Sequence, residues 1–134
     1  MIVDSSAFIA VLRNEPGCEK YLAVLADAAP LATSAATLLE TAMVAEGKGG
    51  DRAGLDLDAL IRRLGVEIIP FTAEQAELAR EGFRRFGKGR HPAGLNLGDC
   101  FAYALARARN EPLLFKGEDF ARTDVKAAIQ CPNC

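Results

Sequence analysis

The chain has one histidine, His91, a formal charge of only −2 across 134 residues, and no apolar run long enough to span a bilayer. Each scarcity excludes something. A lone histidine leaves no Ser–His or Cys–His arrangement that would supply a covalent nucleophile, and little for a zinc centre. The near-balanced charge argues against binding nucleic acid through bulk charge, so any grip on a polyanion has to come from a local basic patch. The apolar start Met1-Ile2-Val3 is cut short by Asp4, with no basic segment before it. That is not the pattern of a secretory signal, and cytoplasm is the expected compartment, with no membrane partner.

In such a compartment the four cysteines need no pairing. Cys18 and Cys100 fall in helical patterns, where a thiol behaves as a small hydrophobe. Cys131-Pro132-Asn133-Cys134 has the spacing of half a zinc knuckle. Two such tails in a dimer would complete an all-thiolate site; the alternative is a frayed, redox-sensitive tail.

What is present is a chain of single-domain length (1–134), 50% apolar and 25% charged, without repeats or linkers. Short apolar runs alternate with helical patterns. The runs Met1–Val3, Pro30–Thr33, Val66–Phe71 and Leu113–Phe115 read as strands, with a fifth short one near Val125–Ile129. Helices are expected from Ala7 to Leu12, Cys18 to Ala28, Ala35 to Glu46, Asp51 to Leu64, Thr72 to Phe86, and from Asn96 onward. Gly47-Lys48-Gly49-Gly50 is expected to end the third helix. Phe101, Leu105 and Ala108 mark one face of the last. Strands separated by helices imply an α/β domain with a mainly parallel sheet of four or five strands, ordered 3-2-1-4(-5) between two helical layers.

That topology has a chemical consequence. The crevice of a doubly wound sheet opens beyond the carboxyl ends of the first and fourth strands. Asp4 ends the first and Asp119 follows the fourth, so these two acids become neighbours. Glu40 has Ala36, Thr37, Met43 and Val44 one turn away, which places a glutamate on a largely apolar face. Such a carboxylate needs a cation or a raised pKa. Asp99 lies in the first turn of its helix behind the cap Asn96. Bland readings exist for three of them: Asp4 as a helix cap, Asp99 as a first-turn acid favoured by the dipole, Asp119 as a turn residue. Convergence of all four would instead require divalent cations, and an all-oxygen set favours Mg2+ or Mn2+ over zinc.

Four segments in this order resemble the PIN-domain ribonucleases, more narrowly the VapC-type toxins of type II toxin–antitoxin pairs. They are Met1–Ala7 (MIVDSSA), Ser34–Glu40 (SAATLLE), Leu95–Ala106 (LNLGDCFAYALA) and Leu113–Phe120 (LLFKGEDF) with Thr123-Asp124. The resemblance spans essentially the whole chain. It implies that Asp4, Glu40, Asp99 and Asp119 bind Mg2+ (or Mn2+) and are catalytic, that RNA is hydrolysed by metal-activated water, and that a small antitoxin neutralises the enzyme. It further implies a homodimer. In the doubled acid Glu118-Asp119 the family pattern falls on Asp119, with Glu118 second; Ser6, Thr123 and Asp124 are supporting candidates.

Arg84, Arg85, Lys88, Arg90 and His91 cluster before the Asp99 helix, and Lys116 precedes Asp119. They read either as RNA phosphate contacts or as a solvated helix end. The apolar positions Phe8, Leu12, Tyr21 and Leu25 suit an antitoxin groove, a dimer face or plain core. A nuclease outside a toxin–antitoxin pair, a non-catalytic nucleic-acid-binding module, and a phosphatase or DNA nuclease of similar chemistry are the competing functions.

Overall fold

The computed structural model describes residues 1–28 and 30–129; the Cys131/Cys134 pair lies outside them. In chain order the elements are β1 (Ile2–Val3), α1 (Ser5–Leu12), α2 (Cys18–Asp27), β2 (Ala32–Ser34), α3 (Ala35–Leu64), β3 (Glu67–Ile69), α4 (Ala73–Phe86), α5 (Leu97–Arg109) and β4 (Leu113–Leu114), then a 3-10 turn at Phe120–Arg122. The four strands form one parallel sheet in the order β3-β2-β1-β4. Ile2 and Val3 stand opposite Leu113 and Leu114, which brings the carboxyl ends of β1 and β4 level.

Alternation along these strands divides the core in two. Ile2 and Leu113 face one layer with Phe86, Tyr103 and Leu105 from α4 and α5. Val3 and Leu114 face the other, with Phe8, Tyr21, Leu25, Leu57 and Ile61 from α1, α2 and α3. Phe8, Tyr21 and Leu25 are buried there and Leu12 packs against the same cluster, so core is the reading that holds for this stripe. Among the described residues no helix is long and apolar enough to cross a membrane.

Three expectations need correction. The glycine run does not stop α3 at Gly47; helix continues to Gly50, where φ 70° and ψ −171° break it. Only glycine adopts that backbone without strain, so the fourth residue of the run, not the first, makes the corner. The fifth strand shrinks to one parallel bridge, Leu113 to Ala127, flanked by two ladder bonds in which Leu113 donates to the Lys126 carbonyl and accepts from the Ala128 amide. On α5 the buried stretch is Ala102 to Ala106, and Ala108 is exposed. That helix is wedged between sheet and α4, with Gly82 of α4 so close to Tyr103 that a Cβ there would lie 2.5 Å from the ring.

Candidate active site

Asp4 leaves the end of β1 and caps α1. Its Oδ2 accepts from the Ser6 amide at 3.0 Å and from the Ser6 hydroxyl at 2.6 Å. The same hydroxyl accepts from the Lys116 amide at 2.9 Å, just past β4. Ser6 thus stitches the ends of β1 and β4 together through the carboxylate of Asp4. The cap reading is true, yet it uses only one oxygen. Oδ1 is buried with no hydrogen-bond partner, and the residue is 3% exposed. A buried acceptor left unmade is costly, so this atom is the clearest sign of a ligand-facing group.

Glu40 projects from α3 and is half-buried. Of its apolar neighbours Met43 is 66% exposed, so its face is only partly core. Its carboxylate lies against Gly98 in the first turn of α5, where an added Cβ would sit 1.6 Å from Oε2. Gly98 and Ser5, whose hydroxyl favours the charged form of Glu40, are the contributors that sequence reasoning missed. The available signal was a glycine directly before a first-turn acid.

Asn96 caps α5 by accepting from the Asp99 amide at 2.9 Å, while Asp99 Oδ2 accepts from the Asn96 amide at 3.0 Å. This reciprocal capping box fixes Asp99 at the positive end of the helix. Asp119 is exposed, begins the 3-10 turn and makes no capping bond. It and Asp4 both raise the pKa of Asp99 by repulsion. Glu118 is instead drawn to Arg122 at 3.5 Å, which favours Asp119 for the fourth position.

Charge ties the four acids into one group. Burial, and after it the nearby Glu40, pushes the Asp4 carboxyl up to about 6 against opposing hydrogen bonds from Ser6 and the Ser5 backbone. Burial also lifts Asp99 to about 6, and burial plus Asp99 raises Glu40. The cluster is open: among the described residues no three His, Cys, Asp or Glu side chains are drawn together tightly enough to grip one ion. Like charges on rigid element ends repel, which opposes their closer approach. The donor set still suits a hard divalent cation, being all oxygen with one carboxylate oxygen unpartnered. His91 takes no part: its Nδ1 accepts from the Ala93 amide at 3.0 Å and its ring meets Phe86 edge-on. Burial and Asp99 push the Cys100 thiol up to about 11, so it is no nucleophile at neutral pH.

Two supporting candidates sit elsewhere. Asp124 pairs with Arg85 at 3.1 Å and with Arg107 near the far end of α5, clasping the chain after β4 onto α4 and α5. The Thr123 hydroxyl closes its own turn, donating to the Phe120 carbonyl at 2.7 Å. The basic residues divide likewise. Arg85 is held by Asp124, and Lys116 is tied to Glu15 at 2.8 Å. Arg84 and Lys88 are exposed and make no ion pair among the described residues, and Arg90 stacks on Phe83. The loop that carries Lys88 and Arg90 is pinned at its base, where Lys88 donates to the Leu95 carbonyl and Leu95 to that of Phe86. Its exit feeds directly into the Asn96 cap.

The raised carboxyl pKa values carry a stability signature. An acid whose pKa is higher folded than unfolded stabilises the fold most at low pH, and loses that contribution as pH rises through the folded value. For Asp4, moving from 3.8 to about 6, the loss is about 3 kcal/mol on going from about pH 4 to about pH 7. In chelator, the urea-unfolding free energy of the wild type is expected to fall over that range more steeply than that of Asp4→Asn, which keeps the cap acceptor. Equal slopes contradict the burial of this charge.

A family model for the PIN domain matches residues 1–126. The chain is 48% identical over 133 residues to Ribonuclease VapC30 of Mycobacterium tuberculosis, covering 98% of this chain and 100% of that protein. It is also 48% identical over 127 residues to Ribonuclease VapC of Mycolicibacterium smegmatis, covering 95% and 98%. Two solved structures share the fold at low identity. VapC20 of Mycobacterium tuberculosis, described as a sarcin-ricin loop cleaving toxin, gives a TM-score of 0.76 at 21% identity over 92% of this chain and 95% of that one. VapBC2 from Rickettsia felis, bound to a DNA fragment from its promoter, gives 0.73 at 19% over 94% of each. With its sheet order, its acid-bearing element ends and these full-length relatives, the chain belongs to the PIN-domain family, among the VapC ribonucleases.

Proposed function

We propose that the chain is the RNA-cleaving toxin of a VapBC-like pair, with Asp4, Glu40, Asp99 and Asp119 as its metal-binding and catalytic carboxylates. The observation that carries the site is the buried, unpartnered Oδ1 of Asp4 inside a group of mutually repelling acids. Mg2+ or Mn2+, when bound, would acidify a water and neutralise charge gathering on the scissile phosphate. The rest is done by the protein. Ser6 and the Lys116 amide hold Asp4 rigid, so it enters the reaction without reorganising. The capping box does the same for Asp99. The amino ends of α1 and α5 both open on the cluster, and their dipoles offset the repulsion among the acids and favour an incoming phosphate.

The partners of this reading are an RNA, a cognate antitoxin and a second copy of the chain. Leu39, Met43 and Leu97, exposed by 62%, 66% and 74%, flank Glu40 and Asp99 in sequence and leave apolar surface for a protein to cover.

Purified protein given Mg2+ is expected to cleave RNA and to leave DNA and a small phosphate monoester intact. Asp4→Asn or Asp99→Asn should lower RNA turnover more than about 100-fold, the scale of several kcal/mol of lost charge stabilisation. Undiminished turnover in either variant refutes the assignment, and equal cleavage of DNA favours a general nuclease.

Substrate steering is expected to fall on the cations that make no ion pair among the described residues. Arg84→Ala and Arg90→Ala should weaken RNA binding and flatten its salt dependence, by a slope of about 0.7 per lost phosphate contact. Arg85→Ala should mainly destabilise the fold, by leaving Asp124 held by Arg107 alone. An unchanged salt slope in both Arg84→Ala and Arg90→Ala leaves these residues as a solvated helix end.

A further inference from the structure

We propose that Gly98 is a positioning residue for the reaction: its missing side chain is the space in which the Glu40 carboxylate is parked against the first turn of α5, beside Asp99. The inference rests on the assignment of Glu40 to the metal site.

The contact is specific. A Cβ on Gly98 would lie 1.6 Å from Glu40 Oε2, 2.3 Å from Cδ and 2.6 Å from Oε1, so the whole carboxylate occupies that volume. The backbone does not itself require glycine here, because Gly98 is an ordinary helical residue without positive φ. Glycine within a helix costs up to about 1 kcal/mol relative to alanine. A buried glycine that no turn demands therefore points to what fills its place, and that is a functional carboxylate.

The kind of neighbour decides what substitution does. Gly82 meets the buried ring of Tyr103, which has nowhere to go. Gly98 meets the far end of a flexible glutamate, which can rotate away with the helices intact. Gly54 meets Glu46 in a similar way, but Glu46 is exposed and belongs to no cluster. Alanine at 98 is thus compatible with the fold and incompatible with the present place of Glu40. Structure and function separate at this one residue.

The test uses the full chain, with Mn2+ alone as the probe and thermal stabilisation as the readout, alongside RNA cleavage. Gly98→Ala is expected to melt, in chelator, at or above the wild-type temperature. Its Mn2+ midpoint should rise at least tenfold, and RNA cleavage should fall with it. Shortening the displaced acid in the double variant Gly98→Ala with Glu40→Asp should recover part of the midpoint shift, which no purely structural role of Gly98 explains. A wild-type midpoint in Gly98→Ala overturns the proposal. So does a lower melting temperature with the midpoint unmoved, or a double variant no better than the single one. Glu40→Gln separates this from failure of the site itself: if that variant keeps the wild-type midpoint, Glu40 is not a ligand and the assignment falls first.

Discussion

Repulsion among four carboxylates is the constraint around which this protein is built. Asp4, Glu40, Asp99 and Asp119 come from a strand end, a helix flank, a helix start and the turn after the last strand, and each raises or feels the charge of another. Nothing in the core demands this. Among the described residues the group combines burial, an unmet hydrogen-bond acceptor and like charge, and positive charge supplied to it relieves the repulsion.

The fold answers in part with its own dipoles and hydrogen bonds. A parallel sheet ordered β3-β2-β1-β4 sets the carboxyl ends of β1 and β4 side by side, and the Ser6 hydroxyl joins them. Two helices begin at the same crevice, one capped by Asp4 and the other by Asn96. Capping a helix and belonging to the acid cluster are therefore not rival roles here. Asp4 spends one oxygen on the helix and keeps the other, and Asp99 is both the third residue of a capping box and a member of the cluster.

Most of the frame was legible in the sequence because it rests on local rules. Apolar runs ending in Asp4 and before Lys116, the Thr72 and Asn96 caps, and the alternation of strands with helices follow from periodicity and capping chemistry. What was illegible depends on contacts between distant segments. No local pattern shows that Asp124 is claimed by Arg85 and Arg107, or that Lys116 is spent on Glu15. Nor does composition reveal which glycine of Gly47–Gly50 turns the corner, since all can and only Gly50 adopts the left-handed φ. Gly98 is the instructive case: its role is defined wholly by a side chain 58 positions earlier, and only three-dimensional proximity exposes it.

The most direct test of the central claim is to locate a divalent ion in the protein by anomalous diffraction from crystals grown with Mn2+. The expected result is a peak within bonding distance of Asp4 Oδ1, with Asp99 and at least one of Glu40 and Asp119 drawn in around it. A peak elsewhere, or none in crystals that diffract well with saturating Mn2+, would contradict the account.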